Sequence, residues 1–444
     1  MKYLTRLFIW VIIGFAVYCI YNANVKCLYL KKAGTLHESF NESQWKLVGN
    51  LSVYGEINEK DLYFLQNLTR HRIHQIGILH HINLEQTRGV KNLPIGIFDN
   101  CIELTRLTLP QEMDSINNHA LRGTGIKLFY LPHKIKYISP SAFDDCYALK
   151  KFTIINNNQY TTDEEGTLYF NKNTLFRFPE GRLTREYTID NSVSVIGDCA
   201  FESCYNLYEI NAGPQLQEIG NFSFSGCSQL RTLHTTDNIR RIGRYSFFNC
   251  SNIDSICIYK VNDIPDGAFY NCKNLNHIII SNSLNRIGQY SFYNCSNLRN
   301  MVLPQTLKKI EQSAFKGCSH LFWMDLPNEI RDIGKCSFMN CRGLMAIDLP
   351  VRLKIINDSL FAGCSKLMQI IIPAQTRSIG TGIFNGCDNL RAIHCLSQKP
   401  PTCINDNSFS GLHTHDCTLY VPIGTSRKYR MAIGWRTFSS IIEE

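Results

Sequence analysis

The segment Phe-x-x-Cys returns at an almost constant spacing through most of this chain of 444 residues. The period is about 22–23 residues, a length typical of one unit in a stacked repeat protein. From Phe201 onward the copies keep this period without a break. In such proteins each unit buries its apolar face against its neighbours, so the period predicts a repeat solenoid rather than a globular enzyme. The copies begin at Phe98, Phe143, Phe201, Phe224, Phe247, Phe269, Phe292, Phe315, Phe338, Phe361 and Phe384.

Residues 298–320 show how one copy is expected to fold. The apolar residues before Pro304 point inward from a strand, and Pro304 ends that strand because proline has no N–H for the ladder. Leu307 and Ile310 return to the core on the far side of the coil. Parallel stacking then joins each strand to the same strand of the next coil. With two degenerate copies included, about thirteen coils are predicted in the repeat region.

The cysteine pattern follows the repeat. Eleven of the 19 cysteines occupy the last position of Phe-x-x-Cys, one per coil. Equivalent side chains in adjacent coils point the same way, whereas a disulfide needs Cβ atoms that face each other. We therefore expect a column of buried free thiols, each donating its S–H to a carbonyl at the turn.

Composition and motifs argue against two broad function classes. The net charge of +9 comes from Lys and Arg that are scattered, with no basic run of the kind that binds nucleic acid. The sequence also lacks a phosphate-binding loop, a Gly-x-Ser-x-Gly elbow, a His-Glu-x-x-His motif and a dinucleotide fingerprint. We therefore expect a protein that is not an enzyme and that needs no cofactor.

The first 26 positions have the composition of an export segment. Lys2 and Arg6 form a basic start, and Leu7 to Ile20 is almost wholly apolar. This length suits a signal peptide and is short for a bilayer span, although an uncleaved signal anchor also fits. Either alternative predicts a secreted or cell-surface protein that contacts a membrane only through this segment.

Two segments without the repeat flank it as predicted caps. The N-terminal cap, residues 34–92, is expected to contain a short helix over Gly34–Trp45, a strand over Leu47–Tyr54 and a helix capped by Asn58. The repeats then occupy residues 93–412. In the C-terminal cap, residues 413–444, the pattern predicts a strand and then an amphipathic helix over Thr425–Ile442, interrupted at Gly434.

The register breaks once, between Phe143 and Phe201, where the next copy comes much later than the period requires. The insert, approximately residues 156–188, holds two short apolar runs around Asn171-Lys172-Asn173, a pattern that predicts a β-hairpin. The hairpin is either an elaboration of one coil or a dedicated binding element.

Two histidine clusters resemble metal sites, yet no metal is predicted at either. One lies in the N-terminal cap and has no carboxylate or cysteine placed with it: His71, His74, His80 and His81. The other suits Zn²⁺ better because it combines imidazole with thiolate: His413, His415, Cys417 and Cys403. A loop with a disulfide among Cys395, Cys403 and Cys417 is the competing interpretation.

The outward positions of the strands supply the candidate binding residues. In each strand, the residues that flank the central apolar position face away from the core. Coil stability does not require an exposed Trp323, and an exposed aromatic on a flat sheet is typical of a recognition surface. A cap or loop packed over this face is the competing interpretation. The predicted ligand-binding residues, for a protein or a glycan, are His277, Val302, Trp323, Asp325 and Asp348.

The repeat Leu-x-x-Ile-x-Leu-Pro…Leu-x-x-Ile…Ala-Phe-x-x-Cys-x-x-Leu resembles the BspA-type leucine-rich repeats of bacterial surface proteins. The insert Asp163-Glu-Glu-Gly-Thr-Leu-Tyr and the ending Leu419-Tyr-Val-Pro…Gly434-Trp435 are similar to the same family. The resemblance implies a right-handed leucine-rich-repeat coil, a repeat solenoid of stacked parallel strands with α/β caps at both ends. About thirteen coils are expected, each of about 22–23 residues. The resemblance also implies an exported scaffold that attaches to host or neighbouring-cell proteins. The alternative is a cell-surface glycan-binding module.

Overall fold

The computed structural model describes residues 25–39, 48–70 and 79–444. The predicted export segment, apart from its last two residues, lies outside the described residues, as do His71, His74 and the second half of the predicted helix over Gly34–Trp45. The chain forms two compact units, Met1–Arg182 and Leu183–Glu444, called here unit 1 and unit 2. No helix in the described ranges is long and apolar enough to cross a bilayer.

Unit 1 is built from short strands that pair in parallel from coil to coil. One face carries the order β1-β2-β3-β6, with β4 beside β2, and the pair β8-β10, while the other carries β5-β7-β9. The strands are β1 Val25–Leu30, β2 Asn50–Glu56, β3 His81–Asn83, β4 Thr87–Arg88, β5 Asn92–Leu93, β6 Arg106–Thr108, β7 Ser115–Ile116, β8 Leu128–Tyr130, β9 Tyr137–Ile138, β10 Lys151–Thr153, β11 Tyr160–Thr162, β12 Leu168–Phe170 and β13 Thr174–Arg177.

The helix predicted after Asn58 is present as α1, Glu59–Thr69. Asn58 caps it by accepting from the Lys60 N–H, and the Asp61 carboxylate accepts from the Asn58 N–H, so two free N–H groups at the start of the helix are satisfied. Unit 1 also has short 3₁₀ helices at Leu36–Ser39 and Pro140–Phe143. The strand expected at Leu47–Tyr54 is β2 and lies slightly later in the chain.

The insert folds as antiparallel strands, unlike the coils around it. β12 pairs with both β11 and β13, and the turn between β12 and β13 lies at Asn171-Lys172-Asn173, where the hairpin was predicted. Asn171 and Lys172 have positive φ angles of 48° and 63°, the backbone that tight hairpin turns require.

Unit 2 has the same architecture of short parallel strands, which form larger sheets. One face carries the sheets β14-β16-β18-β20-β22 and β25-β27-β29-β31-β33-β34, and the other carries two-residue strands that include β21-β23-β24-β26 and β28-β30-β32. The strands are β14 Glu186–Thr188, β15 Val195–Ile196, β16 Glu209–Asn211, β17 Glu218–Ile219, β18 Thr232–His234, β19 Arg241–Ile242, β20 Ser255–Ile258, β21 Asp263–Ile264, β22 His277–Ile280, β23 Arg286–Ile287, β24 Lys309–Ile310, β25 Trp323–Asp325, β26 Asp332–Ile333, β27 Ala346–Asp348, β28 Ile355–Ile356, β29 Gln369–Ile372, β30 Ser378–Ile379, β31 Ala392–Cys395, β32 Thr402–Cys403, β33 Thr418–Val421 and β34 Ser440–Glu443.

Phenylalanine and cysteine form the two columns of the unit 2 core. From Phe201 to Phe409 each repeat phenylalanine stacks on the next, with ring centroids 5.1 to 6.4 Å apart. From Cys227 to Cys387 each thiol donates to the phenylalanine carbonyl of the preceding coil, at 2.9–3.1 Å. All 18 cysteines of the described residues are free, and burial raises the pKa of the column thiols from Cys250 to Cys387, so the column serves packing rather than disulfide chemistry.

The parallel-strand solenoid is confirmed, but two details were wrong. The described residues form about 18 turns rather than thirteen, because the terminal segments assigned to caps add parallel strands of their own. The predicted helix over Thr425–Ile442 is only α2, Ser426–Met431, followed by 3₁₀ turns at Trp435–Thr437 and then β34. Another 3₁₀ turn spans Asp406–Phe409.

Candidate functional site

The strand face of unit 2 alternates between buried and exposed side chains. In β25, Met324 is buried while Trp323 and Asp325 are exposed, and β27 repeats the pattern with Ile347 between two exposed residues. The residues expected to face outward therefore do so, because successive side chains of a strand point to opposite faces. No cap or loop in the described chain covers Trp323, which is 56% exposed.

The structure brings three of the five predicted residues together. The parallel register of β25 and β27 places Trp323 opposite Ala346 and Asp325 opposite Asp348. Val302 lies one coil earlier and is 88% exposed. His277 begins β22, one coil further away, and is also exposed.

Val302 marks an interruption in this face. The segment around it has no regular strand, and it separates the sheet that ends at β22 from the sheet that begins at β25. Backbone contact with the next coil persists, since the Phe322 N–H donates to the Arg299 carbonyl at 3.1 Å. The predicted residues therefore fall into one tight group on β25 and β27 and two outlying positions.

A second column of exposed apolar side chains escaped the sequence prediction. Phe322, Met345 and Met368 occupy the position just before each strand and are 39%, 41% and 56% exposed. Backbone bonds make them direct neighbours: the Met345 N–H donates to the Phe322 carbonyl at 2.9 Å and the Met368 N–H to the Met345 carbonyl at 3.4 Å. Their regular spacing in the sequence is the signal that could have found them, but the prediction considered only the two residues that flank the central apolar position of each strand.

We name Phe322, Trp323, Met345 and Met368 the apolar strip. Its members are large and exposed, and they adjoin along three consecutive coils. Beside it, the carboxylates of Asp325 and Asp348 face the same side, and neither has an ion-pair partner among the described residues. Like charges directly opposite in a sheet cost stability. The arrangement is therefore one that an apolar partner carrying positive charge would stabilise.

The C-terminal histidine cluster does not assemble, and the N-terminal one lies partly outside the described residues. Cys403 and Cys417 are buried free thiols, whereas His413 and His415 are exposed, and His415 Nδ1 instead lies 2.5 Å from Ser439 Oγ. The disulfide proposed among Cys395, Cys403 and Cys417 is not formed, and the Tyr429 hydroxyl donates to Cys395 Sγ at 3.2 Å.

In the N-terminal cluster, His80 Nδ1 contacts the Glu103 carbonyl oxygen at 2.9 Å. Burial, with a smaller contribution from Arg106, lowers the pKa of the neighbouring His81. His80 and His81 are therefore part of the local packing of unit 1.

Comparison with known proteins agrees with this architecture. The BspA type leucine-rich repeat region matches residues 78–180, 176–299 and 285–416. A leucine-rich repeat protein from Bacteroides ovatus is 24% identical over 79% of both chains, with a TM-score of 0.51. One from Eubacterium ventriosum is 18% identical over 71% of this chain and 77% of that one, also at 0.51. No curated protein matches significantly.

These two structures share the fold of stacked strands with this protein. The repeat match covers well over half of the sequence, and its period is the one on which the coils are built. The chain therefore belongs to the BspA-type leucine-rich repeat family.

Proposed function

We propose that this chain is an exported, non-enzymatic scaffold that binds a protein through the apolar strip, in adhesion to a host or neighbouring cell. Leucine-rich repeat scaffolds of this family mediate protein–protein interaction, and its members are cell-surface or secreted proteins. Export of this chain rests on the basic and apolar composition of residues 1–26. The observation that carries the binding proposal is the run of four large exposed side chains on consecutive coils.

The chemistry of the strip favours a protein partner. Aromatic residues and methionine are enriched at protein interfaces, and tryptophan is prominent among the few residues that dominate binding energy. Methionine adapts its shape to irregular apolar surfaces. Trp323 would therefore be the main anchor, and Met345 and Met368 would pack against the partner around it.

The acidic pair suggests the charge of that partner. Asp325 and Asp348 lie beside the strip and have no positive neighbour within ion-pair distance in the described part of the chain. A partner with lysine or arginine next to its apolar contact would offset the repulsion between the two carboxylates. Electrostatic steering would also raise the association rate of such a partner. Binding should then weaken as salt concentration rises.

A binding screen tests the proposal. Purified residues 25–444 would be screened against immobilised extracellular-matrix and cell-surface proteins, and the dissociation constant measured for the strongest binder. Trp323→Ala should raise that constant by about 30-fold, the effect of losing about 2 kcal/mol at a central anchor. Ile355→Ala, an exposed apolar residue on the other face in β28, is the matched control and should change it less than twofold. Equal effects of the two substitutions would rule out the strip as the interface.

A further inference from the structure

Unit 1 contains a groove of about 610 Å³ on its strand face, far in sequence from the apolar strip. We call it the polar groove. Its floor includes the outward residues of three strands, Thr108 on β6, Tyr130 on β8 and Thr153 on β10. Glu85, Arg106 and Asn156 stand among the residues around them.

The residues that follow the strands form one wall of the groove. Residues 154–156, which follow β10, line it together with Leu131 and His133, which follow β8. Ile155 among them is 69% exposed. The groove is therefore a concavity that runs along successive coils, and concave surfaces are where small ligands bind.

Several polar groups in the groove have no protein partner. The Glu85 carboxylate, the Arg106 guanidinium, the Tyr130 hydroxyl and the Asn156 amide make no side-chain hydrogen bond to any described residue. An adjoining cleft of about 620 Å³ differs in this respect, because two of its three lysines are already paired with carboxylates. There Lys134 lies 2.7 Å from Glu112 and Lys136 lies 2.7 Å from Asp114.

We propose that the polar groove binds a neutral oligosaccharide of two or three sugar units. A guanidinium and a carboxylate can each make paired, charge-assisted hydrogen bonds to neighbouring hydroxyls of a sugar ring. One positive and one negative side chain leave no net preference for a charged ligand. Tyr130, 48% exposed, offers an apolar ring against the C–H face of a sugar, and its hydroxyl adds a donor.

The size of the groove supports the same ligand class. Its volume falls within the range of about 300–1,000 Å³ that is typical of small-molecule sites. The site lies in unit 1 and uses none of the residues of the apolar strip, so this inference does not depend on the proposed protein binding. One scaffold would then carry a saccharide site and a protein site on separate units.

Titration calorimetry with defined sugars tests the proposal. The probes are cellotriose, mannotriose and triacetylchitotriose, each added to the purified full chain. At least one should bind, and Tyr130→Ala or Arg106→Gln should weaken that binding about five- to tenfold. Circular dichroism would verify that both variants fold, as expected for exposed side chains.

Two control variants test whether sugar binding is specific to the polar groove. Tyr137→Ala removes a tyrosine of similar exposure from β9, on the other face, and Trp323→Ala removes the anchor of the apolar strip; neither should alter sugar binding. The proposal is wrong if none of the three sugars binds, or if binding survives unchanged in both Tyr130→Ala and Arg106→Gln. Loss of protein binding alone in Trp323→Ala would leave the saccharide site supported.

Discussion

Replacing Arg177 with methionine is expected to destabilise unit 1 by about 3–5 kcal/mol at pH 9, where Glu180 of the parent is ionised, because it leaves this buried carboxylate without its counter-charge. Arg177, at the end of β13, is fully buried and forms an ion pair with buried Glu180. The same guanidinium donates to the Phe143 carbonyl at 3.1 Å and lies 3.3 Å from an Asp144 oxygen. Arg177 therefore links the insert to the preceding coil through these polar contacts.

The pH dependence of this loss of stability shows whether the charge of Glu180 causes it. Burial raises the pKa of Glu180, and Arg177 opposes that rise. A carboxyl whose pKa is raised in the folded state contributes stability at low pH and loses it as pH climbs above the ordinary value. Removing Arg177 raises that pKa further above its parent value of about 8, so the gap in stability between variant and parent should stay constant from pH 5 to pH 7 and widen as the pH rises from 8 to 9.

Urea unfolding at pH 6 and pH 9, with amide hydrogen exchange in β12 and β13 as the local readout, measures this effect. Arg177→Met combined with Glu180→Leu is the control, because replacing both charges by apolar groups should restore most of the stability. An equal loss at pH 6 and pH 9, or no rescue in the double variant, would contradict an electrostatic role for this pair.

Replacing Phe315 with alanine is expected to cost about 3–5 kcal/mol, the usual effect of truncating a fully buried phenylalanine. Its ring stacks on Phe292 at 5.3 Å and on Phe338 at 5.6 Å, and it is 0% exposed. The substitution therefore leaves a cavity and interrupts the aromatic column on both sides at once. In a repeat protein the loss of stability should be greatest in the coils next to the cavity.

Phe322→Ala is the matched control for this prediction. It makes the same chemical change a short way along the chain, at a side chain that is 39% exposed, and should cost less than about 1 kcal/mol. Urea denaturation followed by circular dichroism compares the two variants. Similar losses in both would mean that the phenylalanine column does not dominate the stability of these coils.

The fold was predictable because packing repeats with the sequence. Phe-x-x-Cys fixes the register of every coil, and the register decides that Met324 is buried while Trp323 and Asp325 are not. The hairpin at Asn171-Lys172-Asn173 was equally readable from its polar turn between two apolar runs. These features depend on local pattern and on contact with an identical neighbour.

Two features that escaped prediction depend on context outside the repeat. The run Ser440–Glu443 has apolar residues that also fit the face of a helix, yet it forms a strand because the edge of β33 is available to pair with it. The Arg177–Glu180 pair joins the insert to Phe143, a contact that no local pattern encodes. Phe322, Met345 and Met368 lie within the repeat, and they were missed because only the two residues that flank the central apolar position of each strand were considered.

Methionine oxidation tests the central claim most directly. Hydrogen peroxide converts exposed methionine to its sulfoxide, and Met345 and Met368 in the apolar strip are exposed, as is Met431 in α2 outside it. With the protein partner from the screen bound, mass spectrometry should find Met345 and Met368 oxidised several-fold more slowly, and Met431 unchanged. Oxidation of Met345 and Met368 at the same rate in the complex as in the free protein would contradict binding through the strip.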